Sequence, residues 1–314
     1  MSDSEAPTDH ETEGGSLNTT RCGFIAVIGA PNAGKSTLVN QLIGAKVSIV
    51  SPKVQTTRTR VTGILAEGRD QAIFVDTPGI FRGAKRRLEK AMVDAAWRQA
   101  AETDRLMLVI DVAKRGLSDD DRAVIEQLAK QQARPMLALN KVDGARHETM
   151  LAIAAAVNEL LEVQETFMVS ALTGDGVDDL RQAVLDRLPA GPWLYPDDQI
   201  SDLPSRMMAA EATREKLFMQ LHQELPYNLT VETEAFEVQA KGDLKINQVI
   251  YVTRDSHKAM VLGKGGTRIR QVGSEARRDL EELFERKVHL FLFVKVRENW
   301  LNDPERFREM GLEL

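Results

Sequence analysis

The sequence predicts an α/β protein with a mostly parallel sheet, followed by a smaller α+β domain. Three observations carry that prediction. From Gly23 to about Leu188, short apolar runs alternate with amphipathic helical stretches, the rhythm of a sheet with helices on both faces. LPAGPWLYPDDQISDLPS (188–205) then breaks the pattern with Pro, Gly and Asp, as a linker does. Beyond it the order changes to helix, strand, strand, short helix, glycine loop, long helix and strand. Residues 1–21 are expected to form a disordered acidic tail, 22–189 the first domain, 190–205 the linker and 206–314 the second domain.

The strands are expected in FIAVIG (24–29), AIFVD (72–76), RLMLVID (105–111), MLALN (136–140) and TFMVSA (166–171). Between 61 and 76, VTGILAEGRDQAIFVD has a turn too short for a helical crossover, which predicts two antiparallel neighbours. EKAMVDAAWRQAAE and DDRAVIEQLAK supply intervening helices. In the second domain, helices are expected near 206–224, 256–262 and 267–285. Ile269, Val272, Ala276, Leu280 and Leu283 fall at helical spacing and should face the core.

Composition narrows the setting. The chain has 314 residues, 43% hydrophobic, enough for two cores. No apolar run approaches the ~20 residues that span a bilayer. The N-terminus lacks the basic start and apolar stretch of a signal peptide. A single cysteine, Cys22, excludes an intramolecular disulfide and fits the cytoplasm. Net charge is −6, yet between Arg254 and Arg278 seven basic residues face two acidic ones. A local patch of that kind guides a polyanion whatever the overall charge.

GAPNAGKS (29–36) fits G-x-x-x-x-G-K-[ST] between a predicted strand and a predicted helix. The backbone from Gly29 through Ala30, Pro31, Asn32 and Ala33 to Gly34 can curl around phosphate oxygens. Lys35 should reach the β- and γ-phosphates and Ser36 should bind Mg²⁺, with Thr37 opening the helix. DTPG (76–79) ends a strand. Its Asp76 can hold Mg²⁺ through water, Thr77 and Pro78 turn the chain, and Gly79 lets an N–H approach the γ-phosphate. In NKVD, Asp143 can accept from the N1–H and 2-amino group of guanine. Adenine would leave a buried Asp143 unpaired. Asn140 and Lys141 would brace this loop. Ser170, Ala171 and Leu172 follow the last strand, where the Ala171 N–H can meet guanine O6. All of these lie at strand C-terminal ends, where open α/β sheets bind ligands.

This ordered set resembles the motifs of the P-loop GTPases, and the resemblance implies hydrolysis of GTP to GDP and phosphate. GTPases of this kind place a Mg²⁺-binding threonine in the first switch; in VSIVSPKVQTTRTRVTG the expected residue is Thr57, with Thr56 as alternative. Ile80 stands where Ras-like enzymes carry a water-orienting glutamine, so slow intrinsic turnover is expected and no general base is assigned. Asn32 has two readings. It shapes the loop, or it helps hold a potassium ion as an equivalent asparagine does in some related GTPases.

GKGG (263–266) lacks the spacing of a second nucleotide loop. It resembles the G-x-x-G loop of KH domains, which clamps the backbone of single-stranded RNA. The element order resembles the type II arrangement. Gly263, Gly265 and Gly266 would permit close approach, with Lys264, Arg268 and Arg270 supplying charge. Ile246, Val249, Val261 and Ile269 are available as an apolar floor, although most should be core. Docking of a protein instead is disfavoured by the basic patch and by the 5% aromatic content.

A GTPase domain followed by a linker and a type II KH domain, with QTTRTR, REKLFMQLHQELPY, INQVIYVTRDSHKAMVLGKGG and VKVRENW, resembles the Era family of bacterial GTPases across residues 22–314. That resemblance implies binding near the 3′ end of 16S rRNA, a role in assembly of the 30S ribosomal subunit, and peripheral association with the cytoplasmic face of the inner membrane.

Overall fold

The computed structural model describes residues 19–51, 53, 57, 61–81, 87–222, 224–298 and 300. Most of the expected tail, the alternative switch residue Thr56 and residues 301–314 lie outside these.

The first unit contains β1 (Arg21–Ile28), α1 (Lys35–Ile43), β2 (Val61–Glu67), β3 (Asp70–Asp76), α2 (Arg87–Ala101) and β4 (Arg105–Asp111). It continues with α3 (Asp119–Lys130), β5 (Met136–Asn140), α4 (His147–Leu160), β6 (Glu165–Val169) and α5 (Val177–Asp186). The six strands form one sheet in the order β2-β3-β1-β4-β5-β6. All pairings are parallel except β2 with β3, which are antiparallel from Val61↔Asp76 to Glu67↔Asp70, as the short turn predicts. The strand β1 starts inside the segment expected to be a tail. Arg21 explains this: its Nε and Nη2 donate to Asp70 at 2.6 and 2.5 Å, while Thr20 Oγ1 donates to Gly191 O at 2.8 Å.

Both faces of the sheet are covered because β1 is apolar on both sides. Ile25 and Val27 pack with Leu38 and Leu42 of α1 and Leu180 of α5. Ala26 and Ile28 pack with Ala96 of α2 and Val124 and Leu128 of α3. A sheet sandwiched in this way reads as continuous apolar runs. It also sends every β1, β3, β5 and β6 C-terminal end to one edge.

The second unit contains α6 (Ser205–Gln220), β7 (Leu229–Val238), β8 (Leu244–Val252), α7 (Asp255–Leu262), α8 (Thr267–Phe284) and β9 (Val288–Val296). β7 pairs antiparallel with β8, and β8 pairs parallel with β9. The α7–loop–α8 segment is therefore the crossover that a parallel pair requires. Val272, Ala276 and Leu280 are fully buried, with Ile269 and Leu283 partly so, as the spacing predicts.

Residues 188–205 run along the first sheet. Leu194 N donates to Gln71 Oε1 and Gln71 Nε2 to Tyr195 O, both at 2.8 Å. Further on, Ile64 N donates to Ile200 O at 2.9 Å and Ser201 Oγ to Thr62 O at 2.8 Å. The stretch is thus bonded to β2 and β3. Among the described residues, no helix is long and apolar enough to cross a membrane.

Candidate functional site

The β1 strand ends at Ile28 and α1 opens at Lys35, so the loop between them sits at the sheet edge. Its glycines are forced by their surroundings. A Cβ on Gly29 would stand 2.4 Å from Val109 O, and one on Gly34, at φ 91°, would stand 2.2 Å from Asn140 Nδ2. Gly79 is tied to the same loop, since a Cβ there would lie 2.8 Å from Pro31 Cα. Ile80 N donates to Gly29 O at 3.1 Å, and Thr77 Oγ1 donates to Val27 O at 2.8 Å. These bonds fix 76–80 against the loop.

Lys35 is buried, and Nζ donates to Ala30 O at 3.0 Å and Gly29 O at 3.2 Å. Burial drives its ammonium down to about 8 despite the attraction of Asp76. An anion brought to this position would relieve that cost. Beside it, Ser36 Oγ donates to Asp76 Oδ2 at 2.7 Å and lies 2.9 Å from Thr57 Oγ1, itself 3.3 Å from Asp76 Oδ2. Burial raises the Asp76 pKa against the opposing Ser36 hydrogen bond and Lys35 charge. Asp76 Oδ1 is buried and receives no hydrogen bond among the described residues. A carboxylate oxygen left bare beside two hydroxyls fits a hard cation that takes oxygen ligands. A cavity of about 60 Å³ joins this cluster to Ile49, Val50, Ser51 and Lys53 on the first-switch side.

The expected base-binding residues converge at the neighbouring strand ends. Asn140 Nδ2 donates to Ala33 O at 2.8 Å, and its Oδ1 accepts from Lys141 N and Ala171 N at 2.8 and 3.0 Å. The Ala171 N–H expected to face guanine O6 is therefore bonded to Asn140. Lys141, at φ 70°, donates through Nζ to Asn32 O and to Asp111 Oδ2, each at 2.7 Å. Ser170 Oγ donates to Asp143 Oδ1 at 2.5 Å. Asp143 is exposed, where the sequence reading expects it buried, because it sits on a short 3₁₀ turn past the end of β5. Leu172 is 79% exposed beside it, free to cover a flat ring. Asn32 takes φ 62°, a left-handed conformation that asparagine tolerates, which favours its loop-shaping reading.

In the second unit, Gly263, Gly265 and Gly266 all have positive φ, at 71°, 60° and 74°. Lys264 is exposed. Arg268 and Arg270, expected to supply charge beside the loop, also bond backbone carbonyls at or just before it. Arg268 Nη1 donates to Met260 O, and Arg270 Nη2 to Gly265 O at 2.9 Å. They brace the loop with part of their guanidinium and keep the remaining donors outward. Ile246, Val249 and Val261 are fully buried core, leaving Ile269 partly exposed and Met260 49% exposed near the loop.

Sequence reasoning missed Asp111, whose buried carboxylate anchors Lys141, and the contacts of Lys46 and Lys53 beside the first switch. Asp111 had an available signal: an acid interrupting an otherwise apolar strand. Lys46 and Lys53 had none, being lysines in a polar stretch.

Two family models match the chain: a 50S ribosome-binding GTPase over residues 24–141 and a KH domain over 224–301. The chain is 55% identical to GTPase Era of Rhizobium meliloti (strain 1021), covering 100% of this chain and 99% of that one. It is 58% identical to GTPase Era of Mesorhizobium japonicum, covering 98% and 97%. A crystal structure of a single-substitution variant of Aquifex aeolicus Era bound to GDP·AlF4⁻ matches with a TM-score of 0.87 at 36% identity, over 94% of this chain and 100% of that one. A structure of Era in complex with MgGDPNP and nucleotides 1506–1542 of 16S ribosomal RNA matches with the same score, identity and coverage.

Proposed function

The chain belongs to the Era family of GTPases, and from that premise we propose a guanine-nucleotide switch joined to a single-stranded rRNA clamp. The observation that carries the nucleotide half is the oxygen cluster of Ser36, Thr57 and Asp76 beside buried Lys35. In this reading the loop 29–37 wraps the phosphates, with Lys35 on the β- and γ-groups. Residues 76–79 close on the γ-phosphate. Ser36, Asp76 and Thr57 hold Mg²⁺, which neutralises charge building on the phosphate oxygens. Asp143 pairs with guanine, Ala171 and Leu172 border the base, and Asn140 and Lys141 hold the two loops together. The exposed Asp143 gains its selectivity only once a base covers it, because an unpaired carboxylate is costly only when removed from water.

The Ile80 side chain is buried and has no hydrogen-bonding group, so it cannot orient water. The chain thus supplies phosphate positioning and no general base from this position. Asn32 lines the phosphate cavity, which supports potassium as an additional activator. Replacing potassium by sodium at constant ionic strength should then slow GTP turnover, and an unchanged rate would leave Asn32 its loop-shaping role alone.

For the second unit, the open glycine loop of residues 263–266, braced by Arg268 and Arg270, supports capture of a sugar-phosphate backbone. The related complex supports the 3′ region of 16S rRNA as the RNA and so the 30S subunit as its setting. Peripheral contact with the inner membrane rests on the family resemblance, and flotation with anionic vesicles tests it.

The first experiment compares GDP and XDP binding in the wild type and in Asp143→Asn. The variant should lose guanine preference in favour of xanthine by up to about two orders of magnitude, the scale of the ~1–3 kcal/mol cost of a buried polar group left unpaired. Unchanged selectivity would remove Asp143 from the base site.

A further inference from the structure

The nucleotide cavity is lined by the first unit alone, but one of its walls is held in place by the other unit. This first-switch wall comes from Ile49, Val50, Ser51 and Lys53. Val50 N donates to Glu215 Oε1 at 2.8 Å, and Glu215 lies on α6, 165 residues away in sequence. The same carboxylate accepts from Lys46 Nζ at 2.6 Å through Oε2. Glu215 is only 1% exposed, so both oxygens are committed at the boundary between the two units. Lys53 makes a second attachment. Its ammonium donates to Phe218 O and, at 2.6 Å, to Leu221 O, where the last turn of α6 leaves carbonyls without helical partners.

Lys46 also reaches further. Its Nζ lies 3.1 Å from Asp279 Oδ2, and Lys216 Nζ lies 2.5 Å from the same atom. Asp279 is on α8, whose first turn begins directly after Gly266 of the glycine loop. Gln220 Nε2 donates to Glu275 Oε2 at 2.7 Å and ties α6 to α8 a turn closer to that loop. A continuous set of polar contacts therefore runs from the phosphate cavity through Val50 and Glu215 to Lys46, Asp279 and the helix that carries residues 263–266. On its other flank, the first switch leads into β2, which Ile200 and Ser201 hold. The switch is anchored on both sides by chain from beyond the first unit.

Resting on the nucleotide-and-RNA reading above, we propose that Glu215 is a positioning residue of the nucleotide pocket supplied by the RNA-binding unit, and that the Lys46–Glu215–Asp279 bridge couples the two sites. The chemistry suits this role. A switch segment that moves with the γ-phosphate must break or keep two hydrogen bonds to one buried carboxylate. Leaving that carboxylate partly unpaired is unfavourable, so the segment and α6 move together or separate as a step. A ligand shifts such an equilibrium only through its different affinity for the two arrangements. The coupling is reciprocal: RNA must change the preference for GTP over GDP by the same factor that nucleotide changes RNA affinity.

The test measures two quantities in the full chain. One is the release rate of a fluorescent GDP. The other is the affinity for an RNA of nucleotides 1506–1542 of 16S rRNA, with GDPNP and with GDP. Glu215→Ala should speed GDP release several-fold, because the pocket wall loses its anchor. It should also bring the RNA affinity ratio between the two nucleotides toward one. Glu215→Gln keeps an acceptor for Val50 N–H and loses the charge facing Lys46. It should hold GDP nearly as long as the wild type while still losing part of the ratio. Lys46→Met changes a half-exposed residue, leaves buried Glu215 with Lys216 Nζ at 3.5 Å in place of its 2.6 Å partner, and should lower the ratio with less effect on GDP release than Glu215→Ala. A wild-type ratio preserved in both Glu215→Ala and Lys46→Met would overturn the bridge, and so would a wild-type ratio of one. Failure of the wild type to bind guanine nucleotide or this RNA at all would instead overturn the functional reading beneath it.

Discussion

Two glycine loops in this chain, each carrying a lysine, are built on opposite principles. In the first, glycine is required by the protein itself: at Gly29 and Gly34 a single added carbon would lie 2.4 Å from Val109 O and 2.2 Å from Asn140 Nδ2. In the second, a Cβ on Gly265 would meet nothing within 4 Å, and one on Gly266 only Ile269 Cγ2 at 3.9 Å. Only Gly263 is crowded, by Arg268. The first loop is a cradle preorganised by the fold around it. The second is an open edge whose glycines keep a positive-φ backbone bare for something arriving from outside. Preorganisation of the first kind ties binding to stability. Openness of the second kind separates them.

Substitution should expose that difference. Gly34→Ala gives the largest effect. It forces an L residue to hold φ 91° and displaces the Asn140 amide, which also orders Lys141 and Ala171. Backbone strain alone costs about 1–3 kcal/mol. Thermal unfolding should fall by several degrees and nucleotide binding should be lost together with it. A Gly34→Ala protein that binds GDP normally would break the comparison at its stronger end.

Gly265→Asp should behave in the opposite way. Aspartate tolerates φ 60° better than most residues, and its side chain enters open space, so the cost to folding is roughly 1 kcal/mol or less. Its charge stands where phosphate is expected. RNA affinity should fall at least tenfold while GTP turnover and melting temperature stay close to wild type. Crosslinking in cells, with sequencing of the bound RNA, extends the same test. A peak near the 16S 3′ end in the wild type should vanish in the variant. A profile indifferent to the substitution would remove residues 263–266 from the RNA site.

The loops themselves were legible in sequence because each is a contiguous window whose residue types are dictated by backbone geometry. The strands, the antiparallel β2–β3 pair and the order of elements followed from periodicity for the same local reason. What stayed hidden is what depends on distant partners. Glu215 in REKLF reads as a solvated helix charge. Its one available signal was position, three residues from each of two apolar residues, Ala212 and Phe218, both buried. Lys46 pairs with residues 169 and 233 positions away, and nothing about a lysine encodes which carboxylate it will meet. Arg268 and Arg270 were visible as charges, but their bonds to loop carbonyls were not. The same limit applies to residues 188–205. Pro, Gly and Asp mark them as irregular, whereas their bonding to β2 and β3 depends on edge groups that the sequence leaves unspecified.

The bridge between the units gives the smallest effect, and pH isolates it. Burial alone would raise the Asp279 pKa, but hydrogen bonds from Lys216 and Lys46 outweigh it and hold the carboxyl below its ordinary value. Burial alone would lower the Lys46 pKa, but Glu215 and Asp279 outweigh it and raise it above the ordinary lysine value. The Asp279 contribution to stability is therefore present above about pH 4 and is lost as pH falls through its depressed folded value. The Lys46 contribution is present below about pH 10 and is lost as pH rises through its raised folded value. Between those limits the bridge should be flat. His257 complicates the raw profile. Burial, and then the charge of Arg254, lower its pKa, so its neutral form gives stability that is lost as pH falls below the ordinary histidine range. That slope is common to the wild type and Lys46→Met, since His257 contacts Thr253 and Arg254 and not Lys46. The difference between the two melting profiles should be about 1 kcal/mol, because Lys46 is half exposed and Lys216 Nζ, 3.5 Å from Glu215 Oε2, still partners the buried carboxylate. It should stay constant from about pH 6 to 9 and shrink toward about pH 3. A difference that changes between about pH 6 and 8 would assign the contact energy to some group other than Lys46 and Asp279.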